Sequence, residues 1–232
     1  MTLKSFVKGW IGEAASALTQ KVLLDPKIYT SIHNVTLQTA NGTTQIDHII
    51  VSRHGIFVVE TKNMDGWIFG DEKSPQWTQS LFGKKYRFQN PLHQNYRHTK
   101  VLEDFLGVGP EKLISVVIFW GECELKTPMP PNVMTRGYIG FIKKHDAVLF
   151  GDGEVQEIIS ALKSGMMPKG LLKSLETRKT HLNSLAERHN STTTCPKCGS
   201  ELIQRTAKSG ANAGKPFYGC SSFPKCRFMK SI

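Results

Sequence analysis

The 232-residue chain lacks any run of about 18 consecutive apolar residues, the length a membrane-spanning helix requires, so no segment is expected to cross a bilayer. Its opening stretch, MTLKSFVKGWIGEAASAL, interrupts every apolar cluster with polar or charged side chains, unlike the continuous apolar core of an export signal. Acids are scarce: 19 Asp and Glu stand against 30 Lys and Arg, for a formal net charge of +11. That balance favours a polyanionic partner, such as nucleic acid or an anionic membrane surface. Cysteine is nearly absent before residue 195, where Cys123 stands alone; the other four are Cys195, Cys198, Cys220 and Cys226. A chain without an export signal is expected in the reducing cytoplasm, where such a cluster reads as a metal site rather than a disulfide framework. Cys123 reads as a small packed residue.

What the chain does contain is enough apolar material, 39% of residues, for one domain of ordinary size plus a small appendage. Val7, Trp10, Ile11, Ala14, Leu18 and Val22 recur at spacings of three and four and predict a helix over 6–24. Strands are predicted at 28–38, 44–52 and 56–62, with Asn41-Gly42 as a tight turn. Short strands follow at 66–69 and 84–88 within a loop-rich stretch. Asn90-Pro91 predicts a helix start, Asn as the cap and Pro at the first helical position, with the helix running to about Leu106. LISVVIFW, 113–120, reads as a strand buried on both faces. A strand at 134–139 and an amphipathic helix ending at Gly165 complete an α/β pattern with a mixed sheet and helices on its faces. The expected division is a main domain over 1–165, a helical connector and linker over 166–194, and a small module over 195–232.

The stretch QIDHIIVSRHGIFVVETKN, 45–63, places Asp47, Glu60 and Lys62 among isoleucines and valines. If Ser52 to Gly55 makes the hairpin turn, Val51 faces Ile56, Ile49 faces Val58, and Asp47 faces Glu60. Glu60 and Lys62 then share one face by strand alternation. Two apposed carboxylates repel unless a cation lies between them. Oxygen ligands in this arrangement suit a hard divalent cation, Mg²⁺ or Mn²⁺, and a lysine beside it is placed to handle water at a phosphate. A short D…ExK pattern is in itself most simply a salt-bridged strand end. The setting argues for chemistry, because charges at the ends of strongly apolar strands are costly without a partner. Of the histidines, His48 is expected in the core or behind the site, and His93 and His98 on a solvated helix face. The basic residues Lys169, Lys173, Arg178, Lys179 and Arg188 are expected on a solvated connector helix.

Taken in order, G-E in the first helix, I-D-H-I-I-V-S, G-I-F-V-V-E-T-K-N with G-W-I-F-G after it, W-T-Q at 77–79 and Q-N-P-L-H-Q-N-Y-R-H at 89–98 resemble the nuclease-related domain family of the PD-(D/E)xK nucleases, over roughly residues 8–125. The resemblance implies a mixed-sheet, restriction-endonuclease-like core with flanking helices. It also implies Glu13 as an acid of the site, Asp47 and Glu60 as metal ligands, Lys62 as the catalytic lysine, and Gln94 as a residue that orients phosphate or water.

The C-terminal segment reads Cys-x2-Cys, 21 residues, then Cys-x5-Cys, a spacing at which four thiolates close a tetrahedral, structural Zn²⁺ site. At roughly 40 residues such a module depends on its metal to fold. From residue 191 onward seven Lys and Arg face a single acid, Glu201. Lys197, Arg205, Lys215, Lys225 and Arg227, with the aromatics Tyr218 and Phe223 among them, are candidates to track phosphates and stack on bases. F-Y-G-C-S-S-F-P-K-C resembles the four-cysteine zinc finger of bacterial type I topoisomerases, which implies DNA as partner, single-stranded or branched forms included. The combined expectation is a divalent-metal-dependent DNA nuclease with a zinc-ribbon tail, and its competitor is a non-catalytic nucleic-acid-binding protein with a lapsed nuclease fold.

Overall fold

A computed structural model describes residues 3–39, 42–167, 191–198, 200–208 and 212–232, with backbone only for 3–11. The expected connector helix and its basic residues lie outside the described residues. Those described fall in two compact units: residues 3–37 with 45–167 build the larger, and the 191–232 segment belongs to the second.

The larger unit is α/β. Helix α1 (Leu3–Leu23) precedes strands β1 (Thr30–Thr39), β2 (Gly42–Ser52) and β3 (Gly55–Asn63). Next come β4 (Gly66–Phe69), β5 (Gln76–Leu81) and β6 (Lys84–Gln89), then α2 (Pro91–Leu106). The unit closes with β7 (Leu113–Trp120), β8 (Cys123–Leu125), β9 (Val133–Met134), α3 (Tyr138–Lys143) and α4 (Asp152–Gly165). The main sheet runs β1-β2-β3-β7-β9 and a second sheet runs β6-β5-β4-β8. Among the described residues no helix is long and apolar enough to cross a membrane.

Strands β2 and β3 pair antiparallel in the expected register, Ile49 opposite Val58 and Val51 opposite Ile56, around a turn that Gly55 permits at φ 133°. β3 and β7 pair parallel from Ile56–Leu113 to Asn63–Trp120, which makes the sheet mixed and β3 an interior strand. Its two faces bury different partners, as the continuous apolar sequence requires. Ile49, Val51, Ile56 and Val58 pack with Leu102 of α2 and Ile158, Ile159 and Leu162 of α4. Ile50, Phe57 and Val59 pack with Tyr138, Ile139 and Ile142 of α3. Ile46 joins the first cluster rather than the second, so alternation is interrupted at Asp47, where backbone pairing with β3 has already ended.

Two sequence expectations are corrected. The strand expected at 134–139 is a two-residue β9 followed by α3, whose Tyr138, Ile139 and Ile142 recur at helical spacing and fill the α3 side of the sheet. β5 falls in the stretch expected to be loop-rich between the strands at 66–69 and 84–88; its Trp77 is buried and stacks on Phe119 at a centroid distance of 6.0 Å. Tertiary packing of one aromatic overrides the turn signal beside it.

The C-terminal unit holds β10 (Leu202–Thr206), β11 (Pro216–Cys220) and β12 (Met229–Ser231) in one antiparallel sheet of that order. Its buried cluster consists of Cys195, Leu202, Cys220 and Cys226, with Cys198, Tyr218 and Phe228 packed against it.

Candidate active site and cysteine centre

The expected acid and lysine residues gather at the C-terminal end of β3. Helix α2 supplies one wall. Asn90 caps it, its Oδ1 accepting from Leu92 N at 2.9 Å while its Nδ2 donates to the carbonyls of Asp71 and Ser74. One turn later Asn95, fully buried, reaches Val58 O at 2.8 Å, Ser115 Oγ at 2.9 Å and Val116 O at 3.1 Å through its Nδ2. These bonds fix α2 against β3 and β7. Gln94 and His98, four residues apart and so on one helix face, are thereby aimed at the strand end.

There Lys62 Nζ donates to Glu60 Oε1 and, at 3.0 Å, to Gln94 Oε1. Glu60 is 2% exposed, and its Oε2, which makes no hydrogen bond, faces His98 Nε2 at 3.4 Å. Asp47 meets β3 through its side chain: Oδ2 accepts from Thr61 N at 2.8 Å and Thr61 Oγ1 at 2.7 Å. The carboxylate thus stands where the next rung of the ladder would be. On α1, a Cβ added at Gly12 would lie 2.8 Å from Asn63 Cβ, so the helix approaches the end of β3 too closely for any side chain at that position. Glu13 follows it, and its charge acts on Lys62.

The electrostatics follow from this crowding. Burial and the neighbouring Glu60 charge push the Asp47 carboxyl up to about 6, against the opposing pull of Lys62 and the Thr61 hydrogen bonds. Burial alone would also raise Glu60, but Lys62 and His98 hold it below its ordinary value. Burial alone would lower Lys62, yet Glu60, Asp47 and Glu13 hold it above the usual lysine value. Lys62 thus donates to Glu60 and Gln94 with the charges of its acidic neighbours favouring its protonated form. His48 faces away, its Nδ1 2.8 Å from that of His33, and burial with the His33 charge lowers it to about 3, a neutral core residue.

All five residues expected at the site are near it, Glu13 through its charge and the other four through bonds or charge. His98 was expected on a solvated face and is instead 5% exposed beside Glu60. The signal was present in α2, where Pro91, Asn95, His98 and Leu102 are buried at spacings of four, three and four. Polar side chains fill two positions of what is otherwise a core stripe. His93, by contrast, lies on an exposed face, with Nε2 2.7 Å from Glu72 O.

The donor set suits a hard cation. Two carboxylates converge on one ammonium, and one buried carboxylate oxygen has no hydrogen bond of its own.

In the C-terminal unit the four cysteine sulfurs all lie within 4.8 Å of one another. Cys195 and Cys226 Sγ are 3.7 Å apart, and Cys198 and Cys220 Sγ 3.4 Å apart. A tetrahedron of Zn–S bonds of about 2.3 Å has edges of about 3.8 Å, so the cluster has the size of a zinc site. The loops around it are tied by Cys195 N to Ser200 O, Cys226 N to Ser222 O, and a Ser200–Ser222 hydroxyl contact of 2.7 Å. Of the expected nucleic-acid contacts, Lys215, Lys225 and Arg227 are exposed, and Lys197 and Arg205 are half-buried. Phe223 is 57% exposed, with the Arg205 and Arg227 guanidinium carbons 5.9 and 6.0 Å from its ring centroid. Tyr218 packs against the cysteines, so part of its ring belongs to the small core.

The chain is similar to known proteins over two segments. Residues 8–120 match the nuclease-related domain, and residues 192–232 match the topoisomerase DNA binding C4 zinc finger. An uncharacterized Bacillus anthracis protein is 50% identical over 127 residues, 53% of this chain and 59% of that protein. The chain therefore spans about 59% of the length of that relative. DNA topoisomerase 1 of Methanothermobacter thermautotrophicus is 50% identical over 38 residues, 16% of this chain and 5% of that enzyme. The uncharacterized protein YrdD of Escherichia coli is 45% identical over 38 residues, 16% of this chain and 18% of its own length. No solved structure matches the chain. The chain thus carries a nuclease-related domain over residues 8–120 and a topoisomerase-type four-cysteine zinc ribbon over residues 192–232.

Proposed function

We propose that the protein is a divalent-metal-dependent DNA nuclease of the PD-(D/E)xK type, hydrolysing phosphodiesters in its larger unit and holding DNA with a zinc-ribbon tail. The observation that carries this reading is the convergence of Glu60, Asp47 and Glu13 on the single ammonium of Lys62, with Gln94 as its second hydrogen-bond acceptor. A structural ion pair needs one acid for one lysine; three acids around one lysine leave a negative excess at a strand end, which is unfavourable unless a further cation neutralises it.

Asp47 and Glu60 would hold that cation, Mg²⁺ or Mn²⁺, which when bound neutralises charge on the phosphate and acidifies water. The chain's own residues do the rest. Thr61 orients Asp47 through two hydrogen bonds. Lys62 offers a positive charge and N–H donors to a phosphate oxygen or to the attacking water, and Gln94 fixes where its ammonium points. His98 and Lys62 keep Glu60 ionised. The four cysteines would hold one structural Zn²⁺ with no open ligand position, so the ribbon's part is binding and not hydrolysis.

The test is incubation of the zinc-loaded protein with plasmid, linear duplex and single-stranded DNA, with Mg²⁺, with Mn²⁺, or with neither. Cleavage that requires a divalent cation is the expected result. No cleavage of any substrate with either metal overturns the reading in favour of a non-catalytic binding protein.

A further inference from the structure

The β5–β6 hairpin is unaccounted for by either centre. Residues 76–89, QWTQSLFGKKYRFQ, carry Lys84, Lys85 and Arg87 and no acid. At the tip, Phe82 and Gly83 both have positive φ, 49° and 76°, which is ordinary for glycine and unfavourable for phenylalanine. That backbone presents the Phe82 ring to solvent, 94% exposed, where it buries nothing.

Strand register sorts the rest. Ile68, Trp77 and Phe88 turn inward to a buried cluster with Phe119 and Val117. The opposite face carries two rows across three strands, Trp67–Ser80–Lys85 and Phe69–Thr78–Arg87. Trp67 is 53% exposed with Lys126 Nζ over its ring at 4.8 Å. Lys85 and Arg87 are exposed, while Tyr86 and Lys84, exposed as well, alternate to the other face of the strand. The acid nearest these rows along the sheet, Glu124, is paired to Lys126 at 2.6 Å. A sheet face with the aromatic rings of Trp67 and Phe69 on one strand and the cations Lys85 and Arg87 two strands away is complementary to flat bases and a chain of phosphates, not to an apolar protein surface.

We propose that this outer sheet face, with the Phe82 tip, binds a single strand of nucleic acid: Lys85 and Arg87 follow the phosphates, and Phe82 stacks on an unpaired base. The surface lies in the nuclease-related unit and is separate in sequence from the ribbon. It rests on the reading of the chain as a protein that acts on nucleic acid, and it supplies that reading with a site for the strand.

The test uses the zinc-loaded full chain without added divalent cation, so that binding is read without cleavage. Phe82→Asn keeps a residue at ease with positive φ and removes the ring. It is expected to weaken binding of a fluorescent single-stranded oligonucleotide by about fivefold or more, the low end for one stacked base, and to affect blunt duplex less. The double variant K85A/R87A is expected to reduce the slope of log affinity against log salt by about 1.4, at about 0.7 per cation for a single strand. Photocrosslinking of a 5-iododeoxyuridine strand is expected to label residues within 76–89. Wild-type binding by both variants, equal losses for single strand and duplex, or crosslinks confined to 191–232 would each overturn the proposal. A protein that binds through the hairpin yet cleaves nothing leaves this surface standing and overturns the nuclease reading alone.

Discussion

The two centres of this molecule differ in what holds their ligating side chains in place. Asp47, Glu60 and Lys62 sit at the ends of strands whose Ile49, Val51, Ile56 and Val58 are fully buried, between helices on both faces of a five-stranded sheet. The cysteines sit in a segment whose buried cluster, among the described residues, contains one further side chain, Leu202. A core of that size does not offset the conformational entropy of ordering some 40 residues. In the first centre the fold itself positions the acids and the lysine; in the second the cysteines and the zinc they fit are most of the fold.

Breaking the comparison at its strongest point means removing the ribbon's metal. Structural zinc contributes apparent free energies of about 10–16 kcal/mol in small modules, more than the ribbon's own burial supplies. Cys195→Ser, or exhaustive chelation, is expected to melt residues 195–228 and leave the larger unit folded. Amide NMR dispersion would show this as loss of the ribbon's signals with the rest unshifted, alongside metal analysis falling from one zinc per chain to none. A ribbon that stays ordered without zinc would erase the contrast.

In the other centre the same logic predicts loss of chemistry without loss of fold. Lys62→Ala removes a partly exposed side chain whose partners, Glu60 and Gln94, are held by β3 and α2. Cleavage is expected to fall by about 100-fold or more, the scale of one preorganised donor to developing charge, while oligonucleotide binding and thermal stability change little. Asp47→Ala is expected to abolish activation by Mg²⁺ or Mn²⁺. Single-turnover cleavage at saturating enzyme separates these effects from binding.

How much of this was legible in the sequence depended on whether each side chain advertised its environment. The β2–β3 register followed from where the apolar residues fall around Ser52–Gly55, because a slip by one residue would turn Ile49, Val51, Ile56 and Val58 to the wrong face. The α2 boundaries followed from Asn90-Pro91 at one end and Gly107, at φ 65°, at the other. The cysteine cluster followed from spacing. His98 was missed because histidine in a helix carries no sign of which face is buried, and Asn95, buried through bonds to strand carbonyls, gave no apolar signal to mark that face. Thr61 was missed because its role is to orient Asp47, a contact between strands that no linear pattern encodes. Lys62 was expected beside the acids to handle water; that Asp47 and Glu13 join Glu60 in raising its proton affinity is a consequence of three-dimensional crowding that no linear pattern encodes.

A smaller effect tests whether the first centre's fold is independent of its chemistry. Asn95→Ala leaves the carbonyls of Val58 and Val116 without their Asn95 partner in a fully buried setting. The expected cost is about 2–4 kcal/mol of stability in the larger unit, from one to two unsatisfied buried acceptors. Thermal unfolding should show that unit melting earlier while zinc content stays constant. Cleavage below the new melting point should fall as well, because Gln94 and His98 depend on α2 for their approach to Lys62 and Glu60.

The smallest expected effect lies at the ribbon's surface. Arg227 is exposed, 6.0 Å from the centre of the Phe223 ring, and holds up none of the buried cluster. Arg227→Ala removes one cation next to one exposed ring, and Arg205 still covers that ring from 5.9 Å. If the ribbon's contribution is phosphate contact, DNA affinity should fall by a few-fold at most, and the salt slope should shrink by about 0.7–0.9, one phosphate's worth. Zinc content and the melting of both units should be unchanged, and so should the single-turnover rate at saturating enzyme, because binding affinity lost uniformly does not alter the rate of the bound complex. A fall in that saturated rate would mean that the ribbon shapes the bound substrate at the carboxylate centre, and the division between a centre that reacts and a centre that holds would fail.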